Sequence, residues 1–390
     1  MRSLLLSSRY LPDLAVLATV WLAQLAWLRL ILNGPATGWR ASAKRALAGA
    51  CGISLILVTF AVSLRYHRVA SHFPLTWADQ GRGILMIWAF FSVLMFAAYV
   101  LVRKLPRRRI EFSPARRSFL FGSQSLLLAA PAVATGYGTF IERFDFKLRE
   151  QNIYIPALSP DLDGLRLVQL TDIHLSPFLS VRDLERTVAM ANETRPQLAL
   201  VTGDLITRSG DPLKDCLDRL ARLKADAGVF GCMGNHEIYA NAEAYAQTEG
   251  ARLGIRFLRH EAALLKFGSA SLNLAGVDYQ HFNKPYLRGA ERLAMPGALN
   301  VLLSHNPDVF PTAVRKGFQF TISGHTHGGQ VRMEILKRDL NIVRFFTPYV
   351  DGVYRQGPAS VFVSRGIGTI GLPLRLGAPP EVALLRLCRT

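Results

Sequence analysis

The sequence predicts an α/β layered domain preceded by a helical transmembrane region. Short apolar runs in the back half of the chain each end in a polar cluster of His, Asp, Asn or Gly. Amphipathic helical periods lie between several of those runs, and such strand–helix alternation marks layered α/β architecture. The first third holds apolar stretches of bilayer-spanning length.

From the N-terminus, residues 11–32 are mostly apolar, with Asp13 and Arg29 intruding. Residues 46–64 and 83–102 are cleaner apolar runs, and 118–138 is a weaker fourth. A helix needs about 20 apolar residues to cross a bilayer. Residues 1–138 therefore read as a membrane region of about four transmembrane helices, 139–160 as a polar connector and 161–390 as the enzyme domain. Half of the 390 residues are hydrophobic and the net charge is +18. The first 150 residues hold 19 Lys and Arg against 6 Asp and Glu, whereas the remainder holds 27 against 22. The basic excess thus follows the apolar runs, which favours membrane lipids as partners and argues against nucleic acid. Arg103, Lys104, Arg107, Arg108, Arg109, Arg116 and Arg117 fill the loop before the fourth run, and Arg40, Lys44 and Arg45 the loop after the first. Positively charged loops stay in the cytoplasm. A multi-pass protein of the cytoplasmic membrane follows, with its enzyme domain outside. Ala115-Arg116-Arg117-Ser118-Phe119-Leu120 also resembles a twin-arginine export signal, placed internally, and Ala132-Val133-Ala134 offers a small-residue cleavage pattern.

In the back half, residues 165–170 read as a strand leading into Asp172 and His174. Residues 198–201 lead into Asp204, 229–233 into Asn235, 301–303 into His305, and 320–323 into His325 and His327. Val181, Leu184, Val188 and Ala191 step at helical spacing, as do Leu213, Leu217, Leu220 and Leu223. Asp172 and His174, two apart, would share one face at a strand end. Ligands collect beyond the carboxyl ends of strands in open α/β sheets, so one sheet edge is expected to gather all five clusters. Gly203, Gly234 and Gly324 permit close backbone approach there. The mixture of imidazole, carboxylate and amide donors suits Mn, Fe or Zn. Cys51, Cys216, Cys232 and Cys388 match no zinc spacing, and Cys232 reads as a packed hydrophobe.

As an ordered set, Asp172-x-His174, Gly203-Asp204, Gly234-Asn235-His236-Glu237, His305 and Gly324-His325-x-His327 resemble the calcineurin-like metallophosphoesterase superfamily over roughly residues 160–390. The resemblance implies a sandwich of two β-sheets flanked by helices and two divalent ions. One ion would take Asp172, His174, Asp204 and His327. The other would take Asp204, Asn235, His305 and His325, with Asp204 shared. His236 is implied as the catalytic histidine near the leaving group and not as a ligand. Glu237 is expected to orient a ligand from behind, and Ser304 to be structural. Two cations about 3.5–4 Å apart activate water and clamp phosphoryl oxygens. In-line displacement at phosphorus then needs no Ser or Cys nucleophile, and neither Gly-x-Ser-x-Gly nor a P-loop occurs.

The expected activity is hydrolysis of a phosphate mono- or diester, with lipidic phosphoesters favoured by a bilayer tether. Asp278 to Tyr286, rich in aromatic and polar groups, could form a substrate lip. One alternative is an enzyme like the UDP-2,3-diacylglucosamine pyrophosphatase of lipid A synthesis, whose nucleotide substrate is cytoplasmic. Another is a membrane sensor or transporter with a regulatory phosphoesterase domain; few charges lie in the apolar runs to support transport. Sidedness separates the first two. An alkaline phosphatase fused after Thr390 should be active, because that enzyme matures only outside the cytoplasm. An inactive fusion in normally expressed protein would place the enzyme domain inside and favour the nucleotide-sugar substrate.

Overall fold

The computed structural model describes residues 17–26, 28–29, 41–63, 75–104, 130–131, 133–280, 286–335 and 338–390. The chain divides into two compact units, residues 1–138 with 371–373, and residues 139–370 with 374–390.

The first unit contains the helices Leu17–Ala26, Ala41–Ser63 and Leu75–Lys104. Among the described residues, one helix is long and apolar enough to cross a membrane, through its segment Gln80–Ala97. In this unit Val20, Val58 and Ala89 form a buried apolar cluster, polar side chains are buried with them, and large apolar side chains are also exposed. Leu22, Ile56 and Ile84 are exposed, whereas Gln24, Ser54 and Ser92 are buried. Trp88 Nε1 donates to Ser54 Oγ at 2.5 Å, and Trp21 Nε1 donates to Thr59 Oγ1 at 3.0 Å. Side-chain hydrogen bonds between helices with apolar groups outward are the pattern of helices packed in lipid. Residues 118–129 of the fourth apolar run, and with them the twin-arginine segment, lie outside the described residues.

The second unit is a sandwich of two mixed six-stranded sheets. The first sheet runs β1 (Lys147–Ile155), β14 (Glu381–Arg389), β2 (Arg166–Leu170), β3 (Leu198–Thr202), β4 (Val229–Cys232) and β5 (Ile255–Phe257). Only the β14–β2 pair is antiparallel. The second sheet runs β12 (Gly352–Gln356), β13 (Ala359–Val363), β9 (Phe320–Ser323), β8 (Leu299–Leu303), β7 (Ala270–Gly276) and β6 (Glu261–Phe267). Its edge pairs are antiparallel and the pairs between them parallel. A hairpin of β10 (Arg332–Ile335) and β11 (Arg338–Asn341) completes the unit.

Side-chain alternation builds the layers. In β2 and the residue before it, Leu165 and Leu167 enter the cluster between the sheets, with Leu200, Leu274, Val301 and Ile322. Val168 and Leu170 point the other way, against Leu184, Val188, Leu217 and Leu220 of the helices Val181–Glu193 and Leu213–Leu220. Strands buried on both faces read as continuous apolar runs, which is why these were visible in the sequence. Ser180 caps the first helix by accepting from Asp183 N at 3.2 Å, and the Asp183 carboxylate accepts back from Ser180 N at 3.1 Å.

Residues 139–160, read as a connector, instead contain a 3₁₀ turn at Glu142–Phe144 and the edge strand β1, which pairs over its whole length with β14. Its outward positions carry Lys147, Leu148 and Glu150. That charge suits an edge strand and hides the strand from a search for apolar runs.

Candidate metal centre

The carboxyl ends of the parallel strands of both sheets meet at one point. Asp172 and His174 follow β2, Asp204 follows β3, and Asn235 begins the short helix Asn235–Ala240 after β4. His305 follows β8, and His325 and His327 follow β9, so the second sheet supplies three of these residues. The cluster therefore straddles two sheets, not the single sheet edge expected.

Asp172 and His174 are not on a strand. They lie in a loop after β2, at φ +50° and +48°. This loop is hydrogen-bonded on both sides. Asp172 N donates to Gly203 O at 3.1 Å and His174 N to Asp204 O at 2.9 Å, while Ile367 N donates to Thr171 O at 3.1 Å and Gly368 N to Asp172 O at 2.7 Å. Asp204, His325 and His327 also have positive φ, at +55°, +77° and +52°. Left-handed backbone at non-glycine residues costs on the order of 1–3 kcal/mol each and concentrates at functional sites. The turns close tightly on the side chains: a Cβ at Gly234 would collide with Asp204 Oδ1, and one at Gly324 with Asp172 Oδ2.

Three groupings emerge, two of them made of ligand candidates alone and the third bringing in His236 with His174 and Asp204. Asp172, His174 and His327 bring ligand atoms within 4.8 Å of one another, and so do Asp204, His305 and His325. Asp204 Oδ2 lies between them, 3.5 Å from His174 Nε2 and 3.1 Å from His305 Nε2. His174 Nε2 and His327 Nε2 are 3.2 Å apart, as are His305 Nε2 and His325 Nδ1. His305 Nδ1 donates to Thr202 O at 2.7 Å, which leaves Nε2 free to ligate.

The chemistry of this set fits divalent cations. Asp172, Asp204 and Glu237 are buried carboxylates with no Lys or Arg ion-pair partner among the described residues, and buried anions need compensating charge. Burial drives the His174 and His325 imidazoles down to about 3 and holds His327 well below its ordinary range, so these rings are neutral donors. Burial also disfavours the His305 imidazolium, but Asp204 and Asp172 outweigh it and raise His305 to about 10. Burial raises Asp172 to about 6, partly offset by His305. Asn235 Oδ1 is buried without a hydrogen-bond partner, as a ligating amide oxygen would be.

His236 is half-buried at the rim. Its backbone N donates to Asp204 Oδ1 at 3.0 Å, its Nδ1 donates to Thr207 O at 2.5 Å, and its ring meets His174 edge-on at 4.7 Å. Within the cluster's 4.8 Å it groups with His174 and Asp204. Glu237 acts behind the ligands by accepting from Asp204 N at 2.9 Å, Leu205 N at 2.7 Å and Gly234 N at 2.8 Å. Ser304 Oγ donates to Asn306 O within its own loop. In the Asp278 to Tyr286 segment, the Tyr279 ring meets His305 edge-on and His325 at a tilt, with centroids 6.1 and 5.4 Å away, and residues 281–285 lie outside the described residues.

Sequence reading missed Arg375. This arginine is fully buried, and its guanidinium donates to carbonyls of Arg365, Gly366, Gly368 and Ala378 at 2.5–3.1 Å, with His327 O at 3.5 Å. Burial lowers it to about 10, so it stays charged at neutral pH. It fixes the Arg365–Gly368 turn that buttresses Thr171 and Asp172. The available signal was Gly366-Ile367-Gly368 at the end of an apolar run, although nothing in the sequence tied Arg375 to it.

The family model described as Calcineurin-like phosphoesterase matches residues 165–329, a span that contains every ligand candidate and His236. The uncharacterized metallophosphoesterase YkuE of Bacillus subtilis (strain 168) is 27% identical over 282 residues, covering 71% of this chain and 98% of that protein. A transmembrane protein with metallophosphoesterase domain from Danio rerio is 29% identical over 323 residues, covering 77% of this chain and 70% of its own. Phosphodiesterase YaeI of Escherichia coli (strain K12) is 26% identical over 280 residues, covering 70% and 99%.

Arg375 touches no ligand side chain, so its loss should act through the turn it holds. Arg375→Met should cost roughly 3–5 kcal/mol in chemical unfolding, because it leaves several buried carbonyls unpaired. Zn²⁺ affinity, titrated far below the unfolding midpoint, should fall about 10–100-fold. Arg375→Lys keeps the charge but not the planar donor set and should fall between. Wild-type metal affinity in a folded Arg375→Met protein would contradict this role.

Proposed function

The chain belongs to the calcineurin-like metallophosphoesterases and is a metal-dependent phosphoesterase, and from that premise we propose a membrane-held dinuclear enzyme that hydrolyses phosphate mono- or diesters. The observation that carries the proposal is the place of Asp204 Oδ2, within 3.5 Å of ring nitrogens from both ligand groups. Asp172, His174 and His327 would hold one ion with Asp204, and Asn235, His305 and His325 the second. Mn, Fe and Zn all suit this donor set. Such ions lower the pKa of water toward neutrality and polarise a phosphoryl oxygen.

The protein's own groups would do the rest. Thr202 O and Thr207 O fix the tautomers and ring planes of His305 and His236, and Thr207 Oγ1 holds the ring of His174. With Nδ1 committed to Thr207 O, His236 presents only Nε2 outward. A proton there would be positioned for the leaving oxygen of the ester. Attachment to the cytoplasmic membrane, with the enzyme domain on the outer face, is supported by the apolar helix Leu75–Lys104, by the large apolar side chains exposed on the first unit, and by basic loops expected inside. The name of the Danio rerio relative agrees with membrane attachment.

His236 separates proton transfer from metal binding. His236→Ala should retain both ions by metal analysis and lower kcat about 10²–10⁴-fold on alkyl phosphoesters. The loss should shrink sharply on nitrophenyl esters, whose leaving group needs no proton. Equal losses on both ester types, or departure of one ion, would make His236 a ligand or a structural residue.

A further inference from the structure

Beside the Asp and His cluster, the surface opens into a cleft of about 370 Å³ whose lining includes His325 and His327. Pro307, Val343, Phe346 and Ile370 form apolar walls. The polar groups that share the lining are engaged within the protein. Thr347 Oγ1 donates to Asp308 at 2.5 Å, Thr326 Oγ1 to Val350 O at 2.5 Å, and Gln330 exchanges hydrogen bonds with both backbone groups of Ile370. What remains to meet a ligand is largely hydrocarbon.

The rim is formed by Val343 and Phe346, within and just after the 3₁₀ turn Ile342–Phe345. Ile342, Phe345 and Phe346 are 67%, 87% and 77% exposed. This exposure is held in place. Asn341 Oδ1 accepts from Val343 N at 3.0 Å, and its Nδ2 donates to Gly328 O at 3.0 Å, which ties the turn to the His327 loop. Phe346 N and Thr347 N both donate to Val343 O, at 2.9 and 3.1 Å. Large apolar side chains fixed in water beside a reaction centre point to a ligand that covers them. The rim lies outside residues 165–329, the span matched by the family model.

We infer that the cleft receives the apolar tail of the substrate, which makes the substrate class an amphiphile: a phosphate mono- or diester bearing an alkyl or acyl chain. The inference rests on the phosphoesterase reading above. A chain attached to a phosphoryl group held beside His325 and His327 would lie against Pro307, Val343, Phe346 and Ile370.

The test uses the full chain in lipid nanodiscs with 4-nitrophenyl alkyl phosphate diesters from methyl to hexyl, each kept below its aggregation concentration. In the wild type, kcat/KM should rise with chain length by up to about fourfold per buried methylene. Phe346→Ala should flatten that rise and cost the hexyl ester about tenfold or more, while the methyl ester stays within about twofold. Phe346→Leu, which keeps an apolar wall, should recover most of the slope. The methyl-ester rate reports folding in each variant. A flat wild-type series, or equal slopes in wild type and Phe346→Ala, would overturn the tail site and leave the rim to a bilayer or a protein partner. If no ester is cleaved with Mn²⁺, Fe²⁺ or Zn²⁺, the phosphoesterase reading fails first and takes the cleft with it.

Discussion

The Asp204 carboxylate is enclosed at the seam between the two sheets, 3.5 Å from a ring nitrogen supplied by the first sheet and 3.1 Å from one supplied by the second. A carboxylate so placed has little water to solvate it, and isolated buried charge is costly. Its surroundings answer that constraint. His236 N donates to one oxygen, and Glu237 gathers the backbone N–H groups of residues 204, 205 and 234 so that the loops around it keep one arrangement. The neutral imidazoles of His174, His325 and His327 converge without a cation of their own. The second carboxylate, Asp172, accepts twice from His325 N and stands 3.4 Å from His327 Nε2. Two carboxylates facing five histidines across a sheet seam form an arrangement that divalent ions complete.

Holding that arrangement has a backbone cost. Five ligand candidates adopt left-handed φ, each worth on the order of 1–3 kcal/mol of strain. The strain is offset by the sandwich beneath, where Leu167, Leu200, Leu274, Val301 and Ile322 are completely buried between the sheets. Arg375 adds a second brace from the C-terminal side. The metal centre is therefore a property of two sheets and a buried guanidinium together, and no single loop carries it.

Much of this was legible from residues alone. The strands before Asp172, Asp204, Asn235, His305 and His325 are buried on both faces, so they stand out as apolar runs, and each ends at a ligand. Sheet membership was not legible, because strand partners are chosen by tertiary packing. The order β2–β3–β4 in one sheet and β7–β8–β9 in the other leaves no mark on the runs themselves. β1 was hidden by the charges an edge strand carries. The relation of Asp172 to His174 was read as strand alternation, whereas both sit in left-handed turns. Arg375 was invisible because a buried arginine that satisfies carbonyls has no local signature. The exposed Phe345 and Phe346 could have been seen only once the fold had left them uncovered.

The shared carboxylate can be tested without substrate. Electron paramagnetic resonance of the full chain titrated with Mn²⁺ reports whether two ions are close enough to couple. At two equivalents the account predicts an exchange-coupled spectrum, since ions bridged in such centres lie about 3.5–4 Å apart. In Asp204→Asn that coupling should vanish and binding should weaken at both positions. Two tightly bound but uncoupled ions in the wild type, or a coupled pair that survives Asp204→Asn, would contradict the claim that Asp204 joins the two sheets' ligands into one centre.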